Sequence, residues 1–227
     1  MKRIVIIGEL ILKYDIQGVI KFSLLIALLL IAFIYILIPN WFNYIKILVL
    51  IPLQKFQWQS EKYNENSVFR LSSLFSSTFI FSIVIFSYLP ELKWLENYSK
   101  TTNLFIIFGY VIGLFILKLI IDYLYFYLHK AKKAMHLIID YQYGLNQLFA
   151  IIIGSITLVD VFFFGLTSDL YLLTKVLLAI YLFLRFSGNA IILTNNFGYP
   201  ILTVIVYLCT FEIALIMIFM KILFNNI

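Results

Sequence analysis

Glu212 is the residue of this sequence whose position most clearly suggests chemistry. It lies inside the apolar run Ile201–Met220, which Pro200 precedes and Lys221 follows. A helix of this length spans roughly 30 Å, about the hydrocarbon thickness of a bilayer. Glu212 would then lie roughly 16 Å from the start of the helix. An ionised carboxylate near the middle of a membrane is costly unless it is paired or protonated. The sequence therefore predicts a partner for Glu212.

Two basic residues within other apolar runs are candidates for that partner. Lys118 lies late in the third predicted span and Arg185 lies late in the fifth. Because consecutive spans alternate in direction, both positions are nearer the side from which the last span begins. Lysine and arginine side chains extend several ångströms towards a charge or an interface. We predict that Arg185 is the first partner of Glu212 and Lys118 the second.

Other polar residues accompany these charges. Lys118 and Asp122 are four residues apart, so they can pair on one face of a helix. Cys209 shares the helix face of Glu212, whereas Tyr207 lies on the other side. The predicted intramembrane polar cluster comprises Glu212, Arg185, Lys118, Asp122, Asn146, Cys209 and Tyr207.

This polar cluster has a structural and a functional interpretation. A buried ion pair can fix the register of helices without any chemistry. Ionisable residues inside a membrane also often mark proton or ion sites. Glu212 is the single acidic residue deep in a predicted span, which favours the structural interpretation. We predict no catalytic residues, because the sequence shows no recognisable pair of a nucleophile and its base and no nucleotide-binding glycine loop.

Two histidines, His129 and His136, are the candidates for metal or haem ligation. They are seven residues apart, and Lys133 and Asp140 continue along the same side. No cysteine or third histidine completes a recognisable set of ligands. We therefore predict solvated histidines, with no metal and no cofactor.

The composition indicates the class of protein that must position these residues. Of 227 residues, 63% are hydrophobic and 12% are charged, with a net charge of +6. Soluble domains carry about 25% charged residues. The predicted fold is therefore all-α, a polytopic integral membrane bundle that forms one transmembrane domain over residues 1–227. The basic residues suit anionic lipid headgroups rather than nucleic acid. The single cysteine excludes an internal disulfide.

Apolar runs bounded by Pro, Lys and Asn predict six membrane spans. They lie near residues 19–38, 71–89, 104–125, 143–164, 170–193 and 201–220. Residues 1–16 are predicted to form an interfacial amphipathic segment, and Ile45–Phe56 a short surface-lying segment. No Gly or Pro occurs between Gly113 and Gly144. The third helix is therefore predicted to continue beyond the membrane surface.

Small residues predict where the helices approach each other closely. Ser72, Ser73, Ser76 and Ser77 in the second span favour a tight contact with a neighbouring helix over a polar pore lining. Gly109 and Gly113 in the third span have the spacing of a close helix contact.

The orientation follows from a small bias in the basic residues. The two sides carry nearly equal numbers of them, but Lys130, Lys132 and Lys133 form the densest cluster. The positive-inside rule then places this cluster in the cytosol and both termini outside it.

The ending Tyr207–Ile213, YLCTFEI, followed by an apolar run and Lys221, resembles a known family. The family is domain of unknown function 4271, a group of small polytopic inner-membrane proteins of bacteria. The positions of Lys118, Asn146 and Arg185 are also similar to its pattern. The resemblance covers most of the chain from residue 41 onward.

This sequence departs from the family pattern in two places. Leu215 stands three positions after the glutamate, where the pattern has a proline, and the usual Asp-Trp near the start is missing. The departures affect the entry geometry and the local bend of the last helix. The resemblance implies a multi-pass protein of the bacterial inner membrane, with no established activity.

Three classes of function stay open. A structural or accessory subunit of a bacterial envelope complex is the first, with membrane lipids and other membrane subunits as partners. The alternative is a proton- or ion-coupled carrier of small solutes that uses Glu212 with Arg185 or Lys118. A lipid-modifying enzyme would need an interfacial catalytic set that is not recognisable here.

Overall fold

The computed structural model describes residues 2–37, 41–53, 67–88, 99–164, 168–213 and 217. The regular secondary structure in these ranges is helical throughout, which confirms the predicted all-α class. The α-helices are α1 (Lys2–Leu37), α2 (Trp41–Val49), α3 (Ser67–Tyr88), α4 (Lys100–Leu128), α5 (Lys132–Val159), α6 (Ser168–Ile191) and α7 (Ile201–Tyr207). A 3₁₀ turn follows α2 at Ile51–Leu53. Wider π-helical turns occupy Asp160–Phe164, Ile192–Asn196 and Leu208–Ile213.

Within the described ranges, five helices are long and apolar enough to cross a membrane. The qualifying segments are Gln17–Ile36, Arg70–Ser87, Lys100–Leu128, Lys132–Phe164 and Leu172–Asn196. Large apolar side chains are exposed on their outer faces, such as Phe22 and Phe33 of α1 and Phe105 and Ile120 of α4. Such faces suit a lipid environment, in which apolar residues need no burial against protein.

Helix α5 is the centre of the bundle. It contacts α1, α2, α3, α4 and α6. Every residue from Asp140 to Gln147 is buried. At Gly144 an added Cβ would lie 2.6 Å from Leu48 Cβ, so α2 approaches α5 where the glycine has no side chain. The segment Ile45–Phe56 was predicted to lie on the membrane surface, and Ile45 and Leu48 at its start form a buried face with Trp41.

The predicted continuation of the third helix towards Gly144 is wrong. Helix α4 ends at Leu128 and α5 begins at Lys132, so the chain reverses at His129–Ala131. Lys130 makes the reversal with φ of 53°, in the left-handed region that non-glycine residues rarely adopt. The helix that contains the fourth predicted span, 143–164, therefore begins at Lys132. His129 lies in the turn after α4 and His136 lies in α5, so the two histidines do not share one helix face.

The predictions for the first and the last segment of the chain have different outcomes. Helix α1 is continuous from Lys2 to Leu37, so the helix is not interrupted between the predicted interfacial segment and the first span. The last predicted span, 201–220, begins with α7 and the π-helical turn Leu208–Ile213. Residues 214–216 and 218–220 lie outside the described residues, and so does the completion of a sixth span.

The predicted contacts of small residues have opposite outcomes. In α3, Ser76 Oγ donates to Gln147 Oε1 of α5 at 2.8 Å, which confirms the close-packing interpretation. In α4, Gly109 and Gly113 are exposed, and a Cβ at either would meet no atom within 4 Å. The predicted glycine contact is therefore not made to the described part of the chain.

Candidate functional site

The first polar group in the interior joins α4 to α7. Lys118 Nζ donates to Asp122 Oδ1 at 2.5 Å, and Tyr207 Oη donates to the same oxygen at 2.8 Å. The Lys118 ammonium also lies 3.3 Å from Tyr207 Oη and 5.1 Å from the centre of its ring. Lys118 is 6% exposed, and Asp122 and Tyr207 are fully buried. The predicted Lys118–Asp122 pair is confirmed, and the Tyr207 hydroxyl completes it.

Helical spacing and packing explain this geometry. Lys118 and Asp122 are one helical turn apart on the same face of α4. The Tyr207 ring packs against Tyr125 and Phe126 of α4, with ring centres 4.9 and 5.5 Å away. This packing directs the hydroxyl towards the ion pair. A buried ion pair needs such additional hydrogen bonds, because its mutual attraction alone does not offset the loss of water.

The second polar group joins α6 to α5. Arg185 Nη1 donates to Tyr181 Oη at 2.8 Å, and Tyr181 Oη donates to Asn146 Oδ1 at 2.6 Å. Arg185 Nη2 donates to Gln142 Oε1 at 3.3 Å. Arg185 and Tyr181 are one turn apart on α6, and Gln142 and Asn146 are one turn apart on α5. The two helices therefore align two matched pairs of polar residues.

The third polar group joins α3 to α5. Arg70 donates to Asp140 through Nε at 2.8 Å to Oδ1 and through Nη2 at 3.0 Å to Oδ2. Parallel bonds of this kind fix the arginine geometrically and are stronger than bonds between neutral groups. The Asp140 side chain is 6% exposed and the Arg70 side chain is 29% exposed. This pair therefore lies at the edge of the interior rather than at its centre.

A small cleft connects the first two groups. Residues from α3, α4, α5 and α6 line it, namely Leu74, Phe115, Lys118, Leu119, Ile139, Gln142, Tyr143, Asn146 and Arg185. The cleft has a volume of about 10 Å³. A cavity of this volume holds about one water molecule. The cleft therefore has room for about one water molecule.

The structure places the sequence-predicted residues in different ways. Lys118, Asn146 and Arg185 line the same cleft, and Asp122 and Tyr207 bond to Lys118. Cys209 is exposed. The backbone of Glu212 lies in the π-helical turn Leu208–Ile213, which contacts α4 and α6. The side chain of Glu212 lies outside the described part of the structure, so its pairing with Arg185 or Lys118 stays a prediction.

Sequence reasoning missed four residues of this interior: Arg70, Asp140, Gln142 and Tyr181. Asp140 was interpreted only as part of the stretch that carries His129 and His136. The segment Asp140–Gln147, DYQYGLNQ, carries the signal that could have identified Asp140 and Gln142, because it combines four polar side chains within a helix. Among the described residues, no group of three or more His, Cys, Asp or Glu side chains is placed to hold a metal ion.

The fold and this interior define a helical bundle of the membrane-spanning class with paired charges inside it. The family model called Domain of unknown function (DUF4271) matches residues 20–223, so the chain belongs to this family. No curated protein matches the chain. No solved structure matches it either.

Proposed function

We propose that this protein is a non-catalytic, multi-pass subunit of a complex in the bacterial inner membrane. The observation that supports this most strongly is that polar side chains of α5 form hydrogen bonds with neighbouring helices. Asp140 bonds to α3, while Gln142 and Asn146 bond to α6. Interhelical bonds of this kind stabilise one arrangement of helices in a membrane. The interior then serves to hold a defined outer surface.

The outer surface supplies the contacts of such a subunit. The exposed apolar faces of α1 and α4 suit lipids and the apolar faces of membrane partners. Lys130, Lys132 and Lys133 are exposed at the turn between α4 and α5. Basic residues at a helix end suit anionic headgroups on the cytosolic side.

Purification from native membranes tests this proposal. We expect the tagged protein, extracted in a mild detergent, to migrate with a membrane partner at a constant ratio through size exclusion. A tagged Arg70→Gln variant, which weakens the α3–α5 pair, should retain less of the partner. A wild-type protein that migrates alone from several detergents would contradict the proposal.

The second candidate is a proton- or ion-coupled carrier that uses Glu212 with Arg185 or Lys118. The observation that favours it is the cleft, because Lys118 and Arg185 both border a space large enough for about one water molecule. Proteoliposomes that contain the purified protein would then show ion flux that Glu212→Gln abolishes. Flux at the level of empty liposomes would reject the carrier and leave the subunit.

A further inference from the structure

The cleft between α3, α4, α5 and α6 borders two polar groups whose charges have partners. Lys118 is paired with Asp122, and Arg185 donates to Tyr181 and Gln142. The lining therefore does not require a charged occupant. The cleft volume of about 10 Å³ corresponds to about one water molecule. Charge and size together favour water in this space.

The side-chain amide of Asn146 on α5 has a defined orientation beside the cleft. Arg185 Nη1 can only donate, and it donates to Tyr181 Oη at 2.8 Å. Tyr181 Oη in turn donates to Asn146 Oδ1 at 2.6 Å. Because this chain of bonds runs in one direction, the amide oxygen of Asn146 faces Tyr181 and the amide nitrogen faces away from it.

The amide nitrogen of Asn146 needs an acceptor. In the described part of the chain, Asn146 Nδ2 makes no hydrogen bond to another residue. Asn146 is only 4% exposed, and it lines the cleft, whereas Tyr181 does not. A buried N–H group without an acceptor is destabilising, so nearly all such groups in proteins bond to protein or to ordered water. The cleft is therefore where Nδ2 can meet an acceptor.

A water molecule in the cleft would also have polar neighbours on the opposite side. Lys118 lines the cleft from α4, and its ammonium carries three N–H groups. Such a water can accept from Lys118 Nζ while the lysine keeps its bonds to Asp122 and Tyr207. Gln142 and Tyr143 also line the cleft, and they carry acceptor oxygens for the protons of the water. Buried waters in proteins typically make about three hydrogen bonds.

We propose that the cleft binds one ordered water molecule, which accepts hydrogen bonds from Asn146 of α5 and Lys118 of α4. The water joins the polar group of α4 and α7 to the polar group of α5 and α6, so that four helices share one hydrogen-bond network. Water-mediated bonds are nearly as favourable in enthalpy as direct ones. The proposal does not depend on the subunit role, because it concerns only how the interior is connected.

The first test is an experimental structure of the full chain in nanodiscs, at a resolution that shows ordered waters. We expect one density peak in the cleft, about 2.9 Å from Asn146 Nδ2 and within hydrogen-bond distance of Lys118 Nζ. Well-resolved side chains of Asn146 and Lys118 with no peak between them would overturn the proposal. A peak in the cleft that does not contact Nδ2 would overturn it as well.

The second test measures the lifetime of the water contact in solution. In protein with isotope-labelled asparagine, the side-chain amide protons of Asn146 should show cross-relaxation with water of the sign that a long-lived contact gives. The exposed Asn195 is the matched control, since its hydration water exchanges rapidly and should not give that sign. Asn146→Ser identifies the signal by its loss. Cross-relaxation at Asn146 that is absent, or equal to that at Asn195, would contradict the proposal.

Variants test whether the water links the two polar groups. Asn146→Leu and Lys118→Met each remove one donor to the water, so their losses in Tm should not add in the double variant. Asn146→Leu with Arg70→Gln is the control pair, because Arg70 bonds to Asp140 of α5 but does not line the cleft, and these losses should add. Additive losses in both pairs would refute the link. If a variant does not fold, the density and the amide signal of the wild-type protein still decide.

Discussion

At the scale of single residues, the group formed by Lys118, Asp122 and Tyr207 shows how a charge is accommodated inside this bundle. The ion pair is local to α4, whereas the tyrosine comes from α7. The spacing of four residues predicted the pair, because helix geometry alone brings the two side chains together. The contribution of Tyr207 depends on the packing of α7 against α4, which no pattern in the sequence specifies.

Removal of the Tyr207 hydroxyl should weaken the fold without abolishing it. Tyr207→Phe leaves the ring packing intact but deprives Asp122 of a hydrogen bond at 2.8 Å. Hydrogen bonds to charged groups contribute about 1.5–3 kcal/mol, so a loss of about 2 kcal/mol in the free energy of unfolding is expected. Thermal unfolding in detergent measures it. Tyr123→Phe is the matched control, since Tyr123 is 53% exposed and should have almost no effect.

At the scale of secondary structure, the central position of α5 depends on a turn at His129–Ala131 that no glycine or proline marks in the sequence. Lys130 adopts a left-handed conformation where glycine or asparagine is usual. Without that signal, the third helix was predicted to continue past the membrane surface, whereas it ends at Leu128. The polar segment Asp140–Gln147, which includes the predicted start of the fourth span, is buried in the centre of the bundle.

Close packing of α5 and α6 should make Gly188 intolerant of a side chain. A Cβ at Gly188 would overlap the ring of Tyr141, whose hydroxyl donates to the Leu184 carbonyl at 2.6 Å. Gly188→Ala should therefore lower the free energy of unfolding by about 1–3 kcal/mol, as overpacking does. Gly109→Ala is the control, because a Cβ there meets no atom within 4 Å. Equal Tm values for the two variants would contradict the packing described here.

At the scale of the whole molecule, composition and apolar periodicity were sufficient to predict an all-α bundle. Apolar runs of sufficient length specify membrane helices almost independently of their partners. The sequence could also indicate which charges lie within spans, such as Lys118 and Arg185. It could not indicate which side chains meet them, since Gln142 and Tyr181 are common residues whose role comes only from the packing of α5 on α6.

The ends of α4 should lie on opposite sides of the membrane. Helix α4 runs from Lys100 to Leu128, a length of roughly 44 Å. In a Cys209→Ser background, Ser99→Cys and Lys130→Cys place single thiols just beyond the two ends. An impermeant maleimide should label Ser99→Cys in intact cells and Lys130→Cys only after permeabilisation. Labelling of both variants from one side would mean that α4 does not cross the membrane, and the reverse pattern would invert the predicted orientation.

The central claim is that the paired charges in the interior have a structural role. The most direct measurement is a double-mutant cycle of Lys118→Met and Asp122→Leu, with the free energy of unfolding measured in detergent and the growth of a deletion strain measured in parallel. Each single variant leaves one buried charge uncompensated and should cost about 3–5 kcal/mol. The double variant should lose less than the sum of the two and should restore growth. Additive losses of stability, or a stable double variant that fails to support growth, would contradict a purely structural role.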